Sequence, residues 1–323
     1  MVLASSFLLF VFFAFYILYS MIQGNIGIMN TASLTILGIA ALFLAKQLGR
    51  EWQSVKSDLR QPMQLKQTKN IYTLAALVTG AYVTFFLNHQ WGLGGVLASA
   101  GVGLAGAYLF KKYAVAIYCG SFVGMACNIV FSNPWSFLLA SLLAGVIFIL
   151  AQDLFKGFGG KLGFMAFCGT VLASVLFRSP LRTLEPLSSD LYMPLLFIII
   201  AAGMATYFLQ DKFSFSPVTA SALVGLIIAV LSPDPGHILV VAAFCATFAG
   251  MVSKERAKNY PEMFFLTLLT AILFIAVASL FDGSGGKLGA TAFLATVSGR
   301  GLLDTLNWVK TSHIKPQQQS IDK

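Results

Sequence analysis

Phe155-Lys-Gly-Phe-Gly-Gly-Lys-Leu-Gly163 returns 126 positions later as Phe281-Asp-Gly-Ser-Gly-Gly-Lys-Leu-Gly289. The correspondence continues through Ala166/Ala292, Phe167/Phe293, Thr170/Thr296 and Val171/Val297. It begins earlier, at Val115/Val241, Ala116/Ala242, Cys119/Cys245, Phe122/Phe248, Gly124/Gly250 and Met125/Met251. Farther upstream the offset falls to 122, where Val96-Leu-Ala-Ser-Ala100 matches Val218-Thr-Ala-Ser-Ala222. Over the three blocks 26 of 42 aligned positions are identical. Composition alone would give roughly a tenth to a sixth in a chain this rich in Ala, Gly, Val, Leu and Phe. The chain carries an internal duplication.

Hydrophobic residues make up 58% of the 323 and charged residues only 10%, where an ordinary soluble domain carries about a quarter charged. The apolar runs recur along nearly the whole length, and many reach the ~20 residues that a helix needs to cross a bilayer core. Twelve membrane segments are expected, at roughly 3–23, 27–46, 71–87, 92–110, 113–132, 137–155, 162–178, 191–209, 217–232, 237–253, 262–281 and 288–304. The first has no basic leader or small-residue cleavage site and reads as a retained helix.

The net charge of +9 is a matter of topology, not of nucleic-acid binding. Lys46, Arg50, Lys56, Arg60, Lys66 and Lys69 crowd one loop that holds only Glu51 and Asp58. With that loop in the cytoplasm, 17 Lys and Arg fall on the cytoplasmic side. Three (Arg178, Arg182, Lys287) fall outside, and Arg300 lies within the last segment. The bias of basic residues toward cytoplasmic loops therefore places both termini inside. No Asn-X-Ser/Thr acceptor occurs, which favours a bacterial-type cytoplasmic (inner) membrane.

These readings define the expected fold class, an all-α polytopic membrane protein of about 12 TM helices. Residues 1–70 hold two leading helices and the basic loop, 71–178 a first five-helix repeat, 191–304 a second, and 305–323 a polar tail. Five is odd, so the second copy enters the membrane from the opposite side. That makes a 5+5 inverted-topology repeat, an architecture of secondary transporters and some channels. The stretch 50–60 reads as a short surface helix, with Trp52, Val55 and Leu59 on one face, or as a solvated linker. The Gln-rich tail after Lys310 reads as disordered.

The last segment of each repeat is short and follows a Gly-rich turn, the pattern that points to a transporter's binding site. A helix starting inside the protein aims unpaired N–H groups and partial positive charge at whatever lies before it. Gly160, Lys161 and Gly163, with Gly286, Lys287 and Gly289, are thus expected to open helices facing a central cavity. The two lysines read either as attracting an anion or as snorkelling to headgroups. Thr170 and Thr296, two turns in, are further cavity candidates. Ser99/Ser221 and Ser121/Thr247 are matched hydroxyls that line a path or bond across packed helices. Gly124 and Gly250 read as helix-packing positions.

No Asp or Glu falls at an expected midplane, which disfavours proton relay through an intramembrane carboxylate. Asp304, four residues after Arg300, is placed for an ion pair within the final helix. Cys119, Cys127, Cys168 and Cys245 lie in apolar runs without metal-ligand spacing, so no metal or cofactor is expected. No nucleophile–base pair or phosphate loop appears, and no enzymatic role is expected. The expected function is movement of a small polar or anionic solute through a site between the repeats. A channel-like facilitator with a continuous pore is the alternative, and a non-transporting scaffold a third. The expected partners are that small-molecule solute, the lipid bilayer and a second copy meeting through the leading helices.

Overall fold

Helix boundaries fall where the chain loses a backbone donor or gains a capping oxygen. Proline stands at the first or second helical position of three helices, where its missing N–H costs nothing. Just before each, Asn133, Ser216 and Asn259 accept backbone N–H bonds from Trp135, Thr219 and Glu262. The structure, a computed structural model, describes residues 2–27, 31–58 and 67–319. Twelve α-helices account for it: α1 (Val2–Asn25), α2 (Thr31–Asp58), α3 (Gln67–His89), α4 (Gly95–Leu109), α5 (Ala114–Gly124) and α6 (Pro134–Leu150) come first. Then follow α7 (Lys161–Leu176), α8 (Tyr192–Phe213), α9 (Pro217–Leu231), α10 (Ile238–Gly250), α11 (Tyr260–Val277) and α12 (Lys287–Gln319). Among the described residues no strand forms, and a single antiparallel bridge joins Arg182 to Asp282.

Five of these helices, α1, α2, α3, α8 and α11, are long and apolar enough to cross a membrane. Six others, α4, α5, α6, α7, α9 and α10, are shorter than the sequence runs suggest. The expected segment 113–132 departs most: α5 ends at Gly124 after 11 residues, about 16 Å at 1.5 Å per residue. Its continuation leaves the helix because its backbone finds another partner, the Cys127 N–H donating to the Gly283 carbonyl at 3.0 Å.

The 50–60 stretch is also different from expectation. It continues α2, with Val55 buried and Trp52 against Phe7, ring centroids 5.1 Å apart; Leu59 and Arg60 lie outside the described residues. The tail does not turn irregular at Lys310, because α12 runs on to Gln319. Extending a helix already formed by packing costs far less than nucleating one.

Packing repeats with the sequence. Helix α3 lies against α5 and α6, and α8 lies against α10 and α11; α6 packs on α7 as α11 packs on α12. Gly124 sits under the Ala81 carbonyl and Thr84 of α3, while Gly250 sits under the Gly203 carbonyl and Thr206 of α8. The principal contacts between the two groups are α4 with α9 and α7 with α12. The second of these is a crossing at the helix starts. A methyl group on Gly163 would come within 2.6 Å of the Gly289 Cα, and one on Gly289 within 2.6 Å of the Gly163 Cα. Only hydrogen fits between the two backbones.

Gly160 and Gly286 precede the crossing with φ +78 and +84, a conformation glycine adopts without steric cost. Phe155 and Phe281 occupy the same left-handed region, with φ 48 and 55, where a bulky residue is uncommon. Helix α1 explains how they are held. Its Phe7 and Phe10 stack on Phe155 at 5.6 and 5.3 Å, and its Tyr16 meets Phe281 at 5.6 Å. Its Phe10 also reaches Phe164 and Phe293, so one face of α1 covers the crossing. Its opposite face, with Leu8, Phe12 and Tyr19, is exposed.

One end of the assembly is tied by ions. Arg300, 3% exposed, donates to Glu262, to Asp304 four residues on, and to the Arg256 carbonyl. Asp304 also takes Arg50 of α2, and Arg256 takes Glu51. A buried guanidinium with two carboxylates costs little only when fully bonded in this way. The i,i+4 pair expected from sequence is thus one edge of a network that fastens α2 and the 253–259 turn to α11 and α12.

Replacing Gly163 or Gly289 by Ala is expected to cost about 1–3 kcal/mol each, the usual range for an overpacked core. Because both substitutions force the same two backbones apart, the double variant should cost clearly less than the sum. Thermal unfolding of the purified protein in detergent measures this.

Candidate functional site

The twelve residues singled out in the sequence gather around the crossing. Thr170, 2½ turns into α7, donates to the Gly285 carbonyl ahead of α12 at 2.9 Å. Thr296 of α12 returns the bond to the Gly159 carbonyl ahead of α7 at 3.0 Å. The Cys119 thiol donates to the Leu162 carbonyl and the Cys245 thiol to that of Leu288. Every one of these bonds recurs at the offset of 126. The threonines satisfy carbonyls ahead of the helices that would otherwise be bare in an apolar interior, and the thiols add a bond to carbonyls already within the helices.

The lysines have a partner that neither sequence reading anticipated. Lys161 Nζ donates to the carbonyls of Gln152 and Leu154, at 2.9 and 2.6 Å. Lys287 Nζ donates to those of Ala278 and Leu280, at 3.1 and 3.0 Å. Each ammonium thus folds back onto the exit of the preceding helix, where carbonyls lack intrahelical donors and the macrodipole is negative. Two of its three N–H groups are used in this way, leaving one.

The hydroxyl pairs also bond among themselves. Ser99 and Ser121 are 2.8 Å apart and Ser221 and Thr247 are 2.9 Å apart, all fully buried. One contact breaks the correspondence. Tyr118 bonds Ser221 at 2.9 Å, while its counterpart Phe244 has no hydroxyl to offer Ser99. Four rings fill the centre: Tyr118 meets Phe122 at 4.4 Å, and Phe248 meets both Phe122 and Phe244 at 4.6 Å. All four are buried. The placement of these rings at equivalent positions of the matched block 115–125/241–251, beside Ser121 and Thr247, was the signal that could have found them.

Above this aromatic floor opens a cavity of about 630 Å³. Phe122 and Phe248 form its base, and Phe155, Phe158, Gly160 and Gly163 form its inner wall. Its rim is exposed and carries Tyr108, Lys111, Val115, Ser214 and Ser216. Lys161 lines it beside the start of α7. None of its lining residues is Asp or Glu. Nearby, Asp211 holds the Lys254 ammonium above the usual lysine range through a 2.6 Å hydrogen bond.

The equivalent positions at the second motif have different neighbours. Gly94 and Gly95 stand where Ser216 and Pro217 line the cavity, and Met125 stands where Met251 does. A Cβ at Gly94 would be 3.6 Å from the Pro235 Cβ, and one at Gly95 would be 3.5 Å from the Met125 Cε. His89 bonds the Ala126 carbonyl at 2.8 Å across the same region. Phe281, the counterpart of Phe155, lines a second cavity of about 630 Å³ with Tyr16, Arg178 and Arg182, so each motif borders a cavity but with different neighbours.

No family model matches the chain, and no curated protein or solved structure is significantly similar to it.

Thr170→Val and Thr296→Val each remove one bond and leave a buried carbonyl bare. Each is expected to lower stability by about 1–3 kcal/mol, and the two by similar amounts. Denaturant or thermal unfolding of the single variants checks the equality.

Proposed function

We propose that the chain is a membrane transport protein that moves a small polar or anionic solute between two inverted repeats, 71–178 and 191–304. The observation that carries this reading is the unequal surroundings of matched residues: Ser216, Pro217 and Met251 line one cavity, while Gly94 lies at contact distance from Pro235 and Gly95 at contact distance from Met125. Two copies of one unit in two arrangements are what a protein with a site exposed alternately to each side needs. The reciprocal bonds of Thr170 and Thr296, and the mutual contact of Gly163 and Gly289, support a pseudo-two-fold relation at the crossing. With odd-numbered repeats and the lopsided charge distribution, that relation lies in the plane of a cytoplasmic membrane, with both termini inside. On this reading the short helices complete their transits through the turns that precede α7 and α12. Backbone that is not helical at membrane depth is tolerated where protein or a cavity surrounds it, and the lysine and threonine bonds meet that condition. The cavity then faces the cytoplasm.

The alternative, a facilitator with a continuous pore, is disfavoured by the buried stack of Tyr118, Phe122, Phe244 and Phe248 beneath the cavity. The hydroxyls beside the rings are bonded to one another rather than turned toward the cavity floor's open side, which supports the same reading.

Reconstituted in proteoliposomes with a panel of small organic and inorganic anions and polar solutes, the protein is expected to show saturable uptake and counterflow. Accumulation driven by a sodium or pH gradient would add the coupling ion. Flux that never saturates would transfer the reading to a pore, and absence of flux for the whole panel, from protein shown to be folded, would reject transport.

A further inference from the structure

The lining of the cavity specifies more than a small polar solute. Its base and inner wall are rings: Phe122, Phe248, Phe155 and Phe158, with Phe215 and Tyr108 toward the mouth. Room of about 630 Å³ falls in the range of sites for organic ligands. An inorganic ion or a sugar-like solute would leave those rings facing water it cannot displace, and would have few bonding partners deep in the site. The charged groups that line the cavity are both cationic. Lys111 stands on the exposed rim, and Lys161 stands at the inner wall with one ammonium N–H beyond those given to Gln152 and Leu154. Ser214, Ser216 and Thr219 add hydroxyls on the same side as the rim. No carboxylate lines the wall to attract a cation or repel an anion.

We infer that the cavity binds an amphipathic organic anion, with an aromatic or branched apolar body against Phe122 and Phe248 and a carboxylate or phosphate group held by Lys111 and Lys161. This deepens the transport reading and rests on it for the claim that the ligand is cargo; the binding chemistry stands on the cavity alone. An anion of this kind can reach the site from water or as an anionic lipid headgroup with its chains. The shared chemistry is a single negative charge joined to an apolar body.

The test is equilibrium binding to the full-length protein, by calorimetry and by ligand-induced shift of the melting temperature. The probes are 3-phenylpropionate, its neutral amide and the matching 3-phenylpropylamine. The carboxylate is expected to bind about tenfold or more tightly than the amide, the value of one hydrogen bond to a charged group, and the amine not at all. Lys111→Gln, on the exposed rim, is expected to erase most of that preference without moving the unliganded melting temperature. Phe215→Ala is expected to weaken carboxylate and amide alike.

Equal binding of all three probes, or carboxylate binding untouched by Lys111→Gln, would overturn the proposal. Repeating the titration in nanodiscs of phosphatidylcholine with and without phosphatidylglycerol separates the sources. Unchanged affinity assigns the site to a water-borne anion, and competition by phosphatidylglycerol assigns the same site to a lipid. Selective binding without flux of any probe would leave this inference standing and remove the transport reading; flux of non-amphipathic solutes alone, without selective binding, would do the reverse.

Discussion

Two helix beginnings touch in the middle of this protein, and the rest of the structure is arranged to make that contact tolerable. The starts of α7 and α12 bring unpaired donors and partial positive charge into an apolar interior, backbone against backbone at Gly163 and Gly289. The exits of α5 and α10 lie beside the opposite helix's start: Phe122 and Val123 carbonyls face Gly285, and Phe248 and Ala249 carbonyls face Gly159. Negative helix ends thus sit beside positive ones. Threonine hydroxyls and lysine ammoniums take up the remaining carbonyls, each twice, and the cysteine thiols add a bond to each helix's first turn. The polar residues of the centre are the means by which irregular backbone survives there; this makes the threonines and cysteines poor ligands for a solute, while Lys161 keeps one N–H beyond its two carbonyl bonds.

That economy explains where the open space is. The crossing itself has no room, and the hydroxyl pairs beside it are closed on one another. The cavity lies to one side, between the first motif, the start of α9 and the end of α4, with phenylalanine rings separating it from the hydroxyls. Helix α1 closes the other side of the crossing with its own row of rings. The face of α1 turned inward is thus committed to its own chain, while Leu8, Phe12 and Tyr19 remain available to lipid or to a second copy.

Much of this was legible before any coordinates. The duplicated Gly-Gly-Lys-Leu-Gly marked the helix starts because few sequences other than a glycine run allow a left-handed turn and a backbone crossing in five residues. The helical class followed from hydropathy. Helix ends were less legible: 113–132 reads as one apolar run, and nothing in its composition says that Cys127 will bond Gly283. The lysines misled because their partners, carbonyls nine and seven residues earlier, exist only once the intervening turn has folded. The difference between the two motifs was out of reach. Ser216 and Gly94 are simply two small residues in sequence, and only their neighbours place one on a cavity rim and the other against Pro235.

Tyr118 has a bearing on energetics that its place in the stack does not advertise. In a molecule with two identical halves, the form open at one motif and the form open at the other would be degenerate, and each would hold half the population. The hydroxyl that Tyr118 shares with Ser221 has no counterpart at Phe244. A rearrangement that parts them gives up one bond, about 1 kcal/mol, and regains nothing at the other side. That is roughly a fivefold bias between the two forms. Under the proposed transport reading, and where the exchange parts Tyr118 from Ser221, a single oxygen atom kept in one copy and absent from the other would set a resting preference.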